Sequence, residues 1–241
     1  MSPVNYIPIA TTLFSIYFFI ILYKHWSVQK GYSYIFWWML GVFFYGAGTV
    51  TESLHTLMGY SPANFKAWYI FGAFLGGAPL AQGTVHLLMK HRTAKALSIT
   101  LTIVIIISSI LVVLSPLKGG PHPKLDGKIL EWTFIRYITP FINIYAFIFL
   151  VGGAIYSAII YAQNKDFKHR FWGNVLIAIG GFLPGIGGSS AKAGHVEVLY
   201  VTEFLGLCFI FWGYYVIKNS KEATKHINQA EERDKVEMAT N

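Results

Sequence analysis

Two acids stand where acids are costly. Glu52 is the only Asp, Glu, Lys or Arg in residues 31–65, and Glu203 is the only one in 198–217. An ionisable group inside an apolar segment costs several kcal/mol unless paired or hydrated, so it marks function by default. Helical spacing puts Tyr45, Thr49, Glu52 and His55 on one face, and Tyr200 three residues before Glu203. With a rise of about 1.5 Å per residue, Glu52 falls about 10 Å outside the membrane midplane and His55 about 15 Å. Glu203 falls about 6 Å outside, Asn143 about 9 Å and Tyr145 about 6 Å. The expected site is an outward-opening polar cavity with Glu52 and Glu203 as its floor and His55, Asn143 and Tyr145 as its wall. Two carboxylates at one level repel, which suits a shared proton or a bound cation. The competing expectation is a buried polar tie between the second, fifth and seventh helices.

These residues need long apolar elements to hold them. The chain of 241 residues is 54% hydrophobic and 12% charged. That excludes disorder, which needs low hydrophobicity and high charge, and argues against a soluble enzyme. A bilayer-spanning helix needs about 20 mostly apolar residues. Candidate spans lie near 5–23, 33–57, 67–89, 96–116, 137–161, 171–190 and 197–217. The runs are too long and uniform for barrel strands. The expected fold is therefore all-α: seven transmembrane helices over 1–217, followed by a polar cytoplasmic tail, 218–241. The first 23 residues lack the basic start and cleavage site of a signal peptide, so they read as a retained span.

Basic residues orient the bundle. With the N-terminus outside, thirteen Lys and Arg lie on the inner side and six on the outer. The positive-inside rule then predicts N-out, C-in, in a plasma (inner) membrane. Trp26, Trp37, Trp38, Trp172 and Trp212 fall at the inner boundary and Trp68 and Trp132 at the outer. The net charge of +8 reads as this topology signal plus attraction to anionic lipid; no nucleic-acid motif accompanies it. Cys208 is the single cysteine, so no intrachain disulfide forms.

The spans carry a hint of duplication. Tyr6-Ile7-Pro8 opens the first and Tyr137-Ile138-Thr139-Pro140 the fifth. Phe36-Trp37 with Gly46 matches Phe171-Trp172 with Gly181, and Phe74-Leu75-Gly76 with Gly83 matches Phe204-Leu205-Gly206 with Gly213. The offsets are 131, 135 and 130, and each pairs one span with the fourth after it. A parallel 3+1+3 repeat is expected, with halves 1–92 and 134–218 and a linker helix at 96–116. Convergence of similar apolar words is the alternative. The acids break the symmetry, for Glu203 aligns with Ala73 and Glu52 near Gly187.

Glycines mark close approaches. Gly72 and Gly76 make a G-x-x-x-G packing signature. The sixth span holds Gly180, Gly181, Pro184, Gly185, Gly187 and Gly188, and is expected to break or bend.

The length, topology and repeat resemble the 3+1+3 sugar transporters in architecture, but their paired proline-glutamine turns and pocket asparagines are not found. Retinal proteins need a lysine within the last span, and 198–217 has none. A metal-dependent lipid hydrolase needs three histidines plus carboxylates at one level; His55, His195, Glu52 and Glu197 supply too few. Gln82 and His86 are expected nearer the inner rim, where His86 needs no role. The leading expectation is binding or transport of a small solute or ion. A lipid hydrolase, and a sensory or structural subunit with a protein partner, are the alternatives. The lipid bilayer is the one partner the composition requires, and no motif names a cofactor.

Overall fold

The computed structural model describes residues 3–120, 122–163 and 167–219. Most of the tail, residues 220–241, lies outside the described residues. The chain folds into helices: α1 (Ile7–Val28), α2 (Ser33–Met58), α3 (Pro62–Trp68), α4 (Ala78–Leu88), α5 (His91–Leu114), α6 (Ile135–Phe147), α7 (Gly153–Ala162), α8 (Lys168–Lys192) and α9 (Val196–Lys218). Among the described residues there is no strand, only an isolated bridge between Leu117 and Leu130 in the loop after α5. Six helical segments are long and apolar enough to cross a membrane: Pro3–Val28, α2, α5, Ile135–Ala162, α8 and α9. They identify an integral membrane protein.

The third segment is divided. α3 continues as a π-helix over Tyr69–Phe74, and residues 75–77 form a turn before α4. Leu75 N–H reaches back to the Ile70 carbonyl, 3.1 Å away. Pro79 has no N–H for the Leu75 carbonyl, so the ladder stops here. The divided segment still lies antiparallel against α2 over its length. Asn64 bonds the Thr51 carbonyl, Trp68 bonds Glu52, and Ser33 bonds His86 at the far end. Between them Gly48 meets Gly72 and Gly41 meets Leu80.

The sixth segment, expected to break or bend, does not break. α8 is one helix from Lys168 to Lys192, with Pro184 inside it. Pro184 leaves the Gly180 carbonyl without its usual donor. That oxygen instead faces Gly206 of α9, where a Cβ would stand only 2.7 Å from it. Two helices that meet glycine to glycine come close enough for Cα–H contacts to the freed oxygen. The rest of the contact repeats this pattern, Gly173 against Gly213 and Gly187 against Leu199.

Two packed regions hold the helices. One joins α1, α2, α4 and α9 through Phe18, Val42, Leu80 and Leu207. The other joins α3, α5 and α6 to the loop after α5 through Phe65, Val112, Leu130 and Ile135. That loop is an ordered plug, since Leu125, Ile129 and Leu130 are buried. Large apolar side chains also cover the outside, including Ile99, Ile103, Ile106, Ile107 and Ile110 of α5. A water-soluble protein rarely exposes such a contiguous surface, whereas lipid solvates it.

Candidate functional site

Glu52 and Glu203 come together. α2 presents Glu52 and α9 presents Glu203, and the two carboxyls are within hydrogen-bonding reach of each other. Glu52 is 3% exposed. Its Oε1 accepts a hydrogen bond from Trp68 Nε1 at 3.1 Å. The Oε2 atoms of both acids are sealed from solvent, and no donor from another residue reaches either. No Lys, Arg or His acts on either carboxyl, and neither joins an ion pair among the described residues.

The surroundings are hydroxyls, glycines and rings. Tyr45 donates to the backbone carbonyl of Glu203 at 2.9 Å, fixing α2 against α9 at this level. Tyr200, one turn before Glu203, lies within electrostatic range of both acids. A cavity of about 20 Å³ lies between Tyr45, Gly48, Thr49, Glu52, Gly72, Gly76 and Glu203. It has room for about one water-sized sphere. The space is small and only partly enclosed, since Gly72 on its wall is exposed. Thr49 also hydrogen-bonds Thr12 of α1, 2.9 Å, which braces the chamber from behind.

The remaining expected wall residues are elsewhere. His55 turns its Nε2 to the Pro123 carbonyl, 3.2 Å, and so anchors the loop plug. Asn143 is exposed on the outer face of α6. Tyr145 does face inward, but its hydroxyl donates to Gln82 Oε1 at 2.5 Å. Gln82, fully buried, passes hydrogen bonds from Nε2 to the Ala94 carbonyl, 3.1 Å, and to Ser98 Oγ, 2.7 Å. His86 meets the same Ser98 hydroxyl at 2.8 Å and Ser33 at 3.0 Å, and stacks on Trp37. This second polar cluster ties α2, α4, α5 and α6 together with every Gln82 polar atom bonded.

His195 and Glu197 lie at the protein's surface. Glu197 pairs with Lys124 of the plug at 3.1 Å, and Lys124 also bonds the Gly194 carbonyl. His195 is exposed at the start of α9. His55, His195 and Glu197 therefore do not meet, and among the described residues no three His, Cys, Asp or Glu side chains converge as metal ligands.

Sequence reading missed Trp68 and Gln82 as partners. Gln82 had a signal, since Gln82 and His86 are four residues apart and share a helix face. Trp68 had none, because its partner comes from another helix. No family model matches the chain, and no curated protein and no solved structure matches it significantly.

Proposed function

We propose that this protein binds and translocates a small ion at the Glu52–Glu203 pair. The observation that carries the reading is a pair of carboxyls on different helices, each with a buried oxygen that meets no donor and neither with a basic partner. Two ionised carboxylates so placed lack compensation, so a cation or a shared proton belongs between them. A chamber of about 20 Å³ favours an ion over a larger solute. Among the described residues no three ligands converge, so nothing there supports the lipid-hydrolase reading.

The same proposal takes the divided α3–α4 segment as a crossing, which makes seven, oriented N-out and C-in in a plasma membrane. Its lengthwise pairing with α2 and the excess of inner basic residues support this. The 3+1+3 repeat belongs to the proposal too. Trp38 meets Gly83, and Tyr45 shares the chamber with Gly76. At the sequence offsets of 135 and 130, these pairs become Gly173 with Gly213 and Gly180 with Gly206, which also meet. The halves exchange contacts reciprocally: α1 packs on α9, and α4 packs on α6. A twofold axis along the membrane normal predicts that exchange.

The test is flux in reconstituted vesicles holding a pH-sensitive dye, under imposed proton and sodium gradients. Flux above empty vesicles is expected, falling to background when Glu52→Gln and Glu203→Gln are combined. Absence of flux in the native chain, or full flux in the double variant, would overturn the reading.

A further inference from the structure

We propose that the ion at the acid pair is sodium, held by both carboxylates and by backbone carbonyls opened at the break between α3 and α4. The inference rests on the ion-binding reading above and names its ligand.

The carboxylates supply the first ligands. Glu52 Oε2 and Glu203 Oε2 are buried without partners beside the chamber. The break supplies the rest. Leu75 N–H bonds the Ile70 carbonyl, so the Phe71 carbonyl loses its ordinary four-residue donor. Gly72 and Gly76 line the same chamber as the acids. A Cβ on Gly76 would stand 2.6 Å from the Gly72 carbonyl oxygen, so only glycine leaves that oxygen clear. The break also directs the negative end of the helical segment from Pro62 to Phe74 toward this level.

The donor set consists of oxygens, which suits hard cations and not zinc or copper. Ligand number then discriminates among hard cations. The chamber of about 20 Å³ accepts one dehydrated ion. Calcium takes six to eight oxygen ligands, more than the two carboxylates and the carbonyls of this break supply. A proton alone would need the two carboxyls but no opened carbonyls. With sodium bound, one proton on the pair completes neutrality.

The experiment is thermal unfolding of the purified full-length protein in detergent, at constant ionic strength, in NaCl, KCl, CaCl2 or choline chloride. NaCl should raise Tm over choline by about 3 °C. KCl and CaCl2 should not match it. Glu52→Gln and Glu203→Gln, which keep side-chain shape, should each abolish the sodium shift. Gly76→Ala, which crowds the Gly72 carbonyl oxygen, should also abolish it. Equal Tm in NaCl and choline, a larger shift in CaCl2, or a sodium shift that survives both glutamine variants would overturn sodium. If sodium has no effect while Glu-dependent proton flux remains, the ion-translocation reading stands and only the sodium assignment falls. If flux and shift are both absent, both fall.

Discussion

Gln82 and Glu52 are both buried polar side chains inside apolar helices, and the fold treats them in opposite ways. Around Gln82 the hydrogen-bonding capacity is used. Tyr145, Ser98 and the Ala94 carbonyl engage its amide, and His86 closes onto Ser98 and Ser33. Around Glu52 one oxygen is bonded by Trp68, and the other is left empty beside an equally unpartnered oxygen of Glu203. A buried polar group without a partner costs about 1–3 kcal/mol, and more if charged. A satisfied cluster therefore reads as structure, and an unsatisfied one as a place kept for something absent from the bare chain.

The contrast predicts a double dissociation. Replacing both acids, Glu52→Gln with Glu203→Gln, should reduce ion flux at least about tenfold, as expected when the coordinating charge is removed. The same change should leave stability unchanged or raise it by about 1 kcal/mol, because an uncompensated charge pair disappears; denaturation in detergent measures this. Gln82→Leu should do the reverse. It strands the Tyr145 hydroxyl and should cost about 3 kcal/mol of stability while flux per folded molecule stays native. A Gln82→Leu protein of native stability but without flux would break the comparison.

Smaller effects sharpen it. Gly206→Ala forces α9 away from the Gly180 carbonyl and should lower stability by about 2 kcal/mol in the same denaturation assay. Tyr145→Phe removes one neutral hydrogen bond from the Gln82 cluster, a loss of about 1 kcal/mol. Lys124→Ala should give no measurable change in Tm, because the Lys124–Glu197 pair is half exposed and screened by water. A clear destabilisation there would mean that the plug depends on this contact.

The two acids were readable because charge is scarce in apolar segments, and scarcity is a one-dimensional property. Asn143 and Tyr145 show where that reading stops. Depth along the helix placed them together, but two residues are about 200° of rotation apart, so both cannot face one cavity. Tyr145 faces Gln82 and Asn143 is exposed. His55 shares a face with Glu52, yet the plug claims its ring through the Pro123 carbonyl.

The prolines carry a related lesson. The glycines around Pro184 looked like breakers, whereas Gly76, just before Pro79, was read only as a packing residue. The helix parts before Pro79 and persists through Pro184. The difference lies in the neighbour. Gly206 takes up the carbonyl freed by Pro184, whereas at the other break the glycines open onto the acid chamber.

By itself the sequence determined that this is a membrane protein of apolar helices, and which two acids lie within them. Hydrophobic transfer depends on composition over a length of about 20 residues, which local sequence contains in full. Only the tertiary structure decided that Glu52 and Glu203 face each other, that Tyr145 belongs to Gln82, and which proline breaks its helix. Each of those depends on the rotation and approach of a second helix. A lone backbone or side-chain group meets its partner, or fails to, only when distant segments pack.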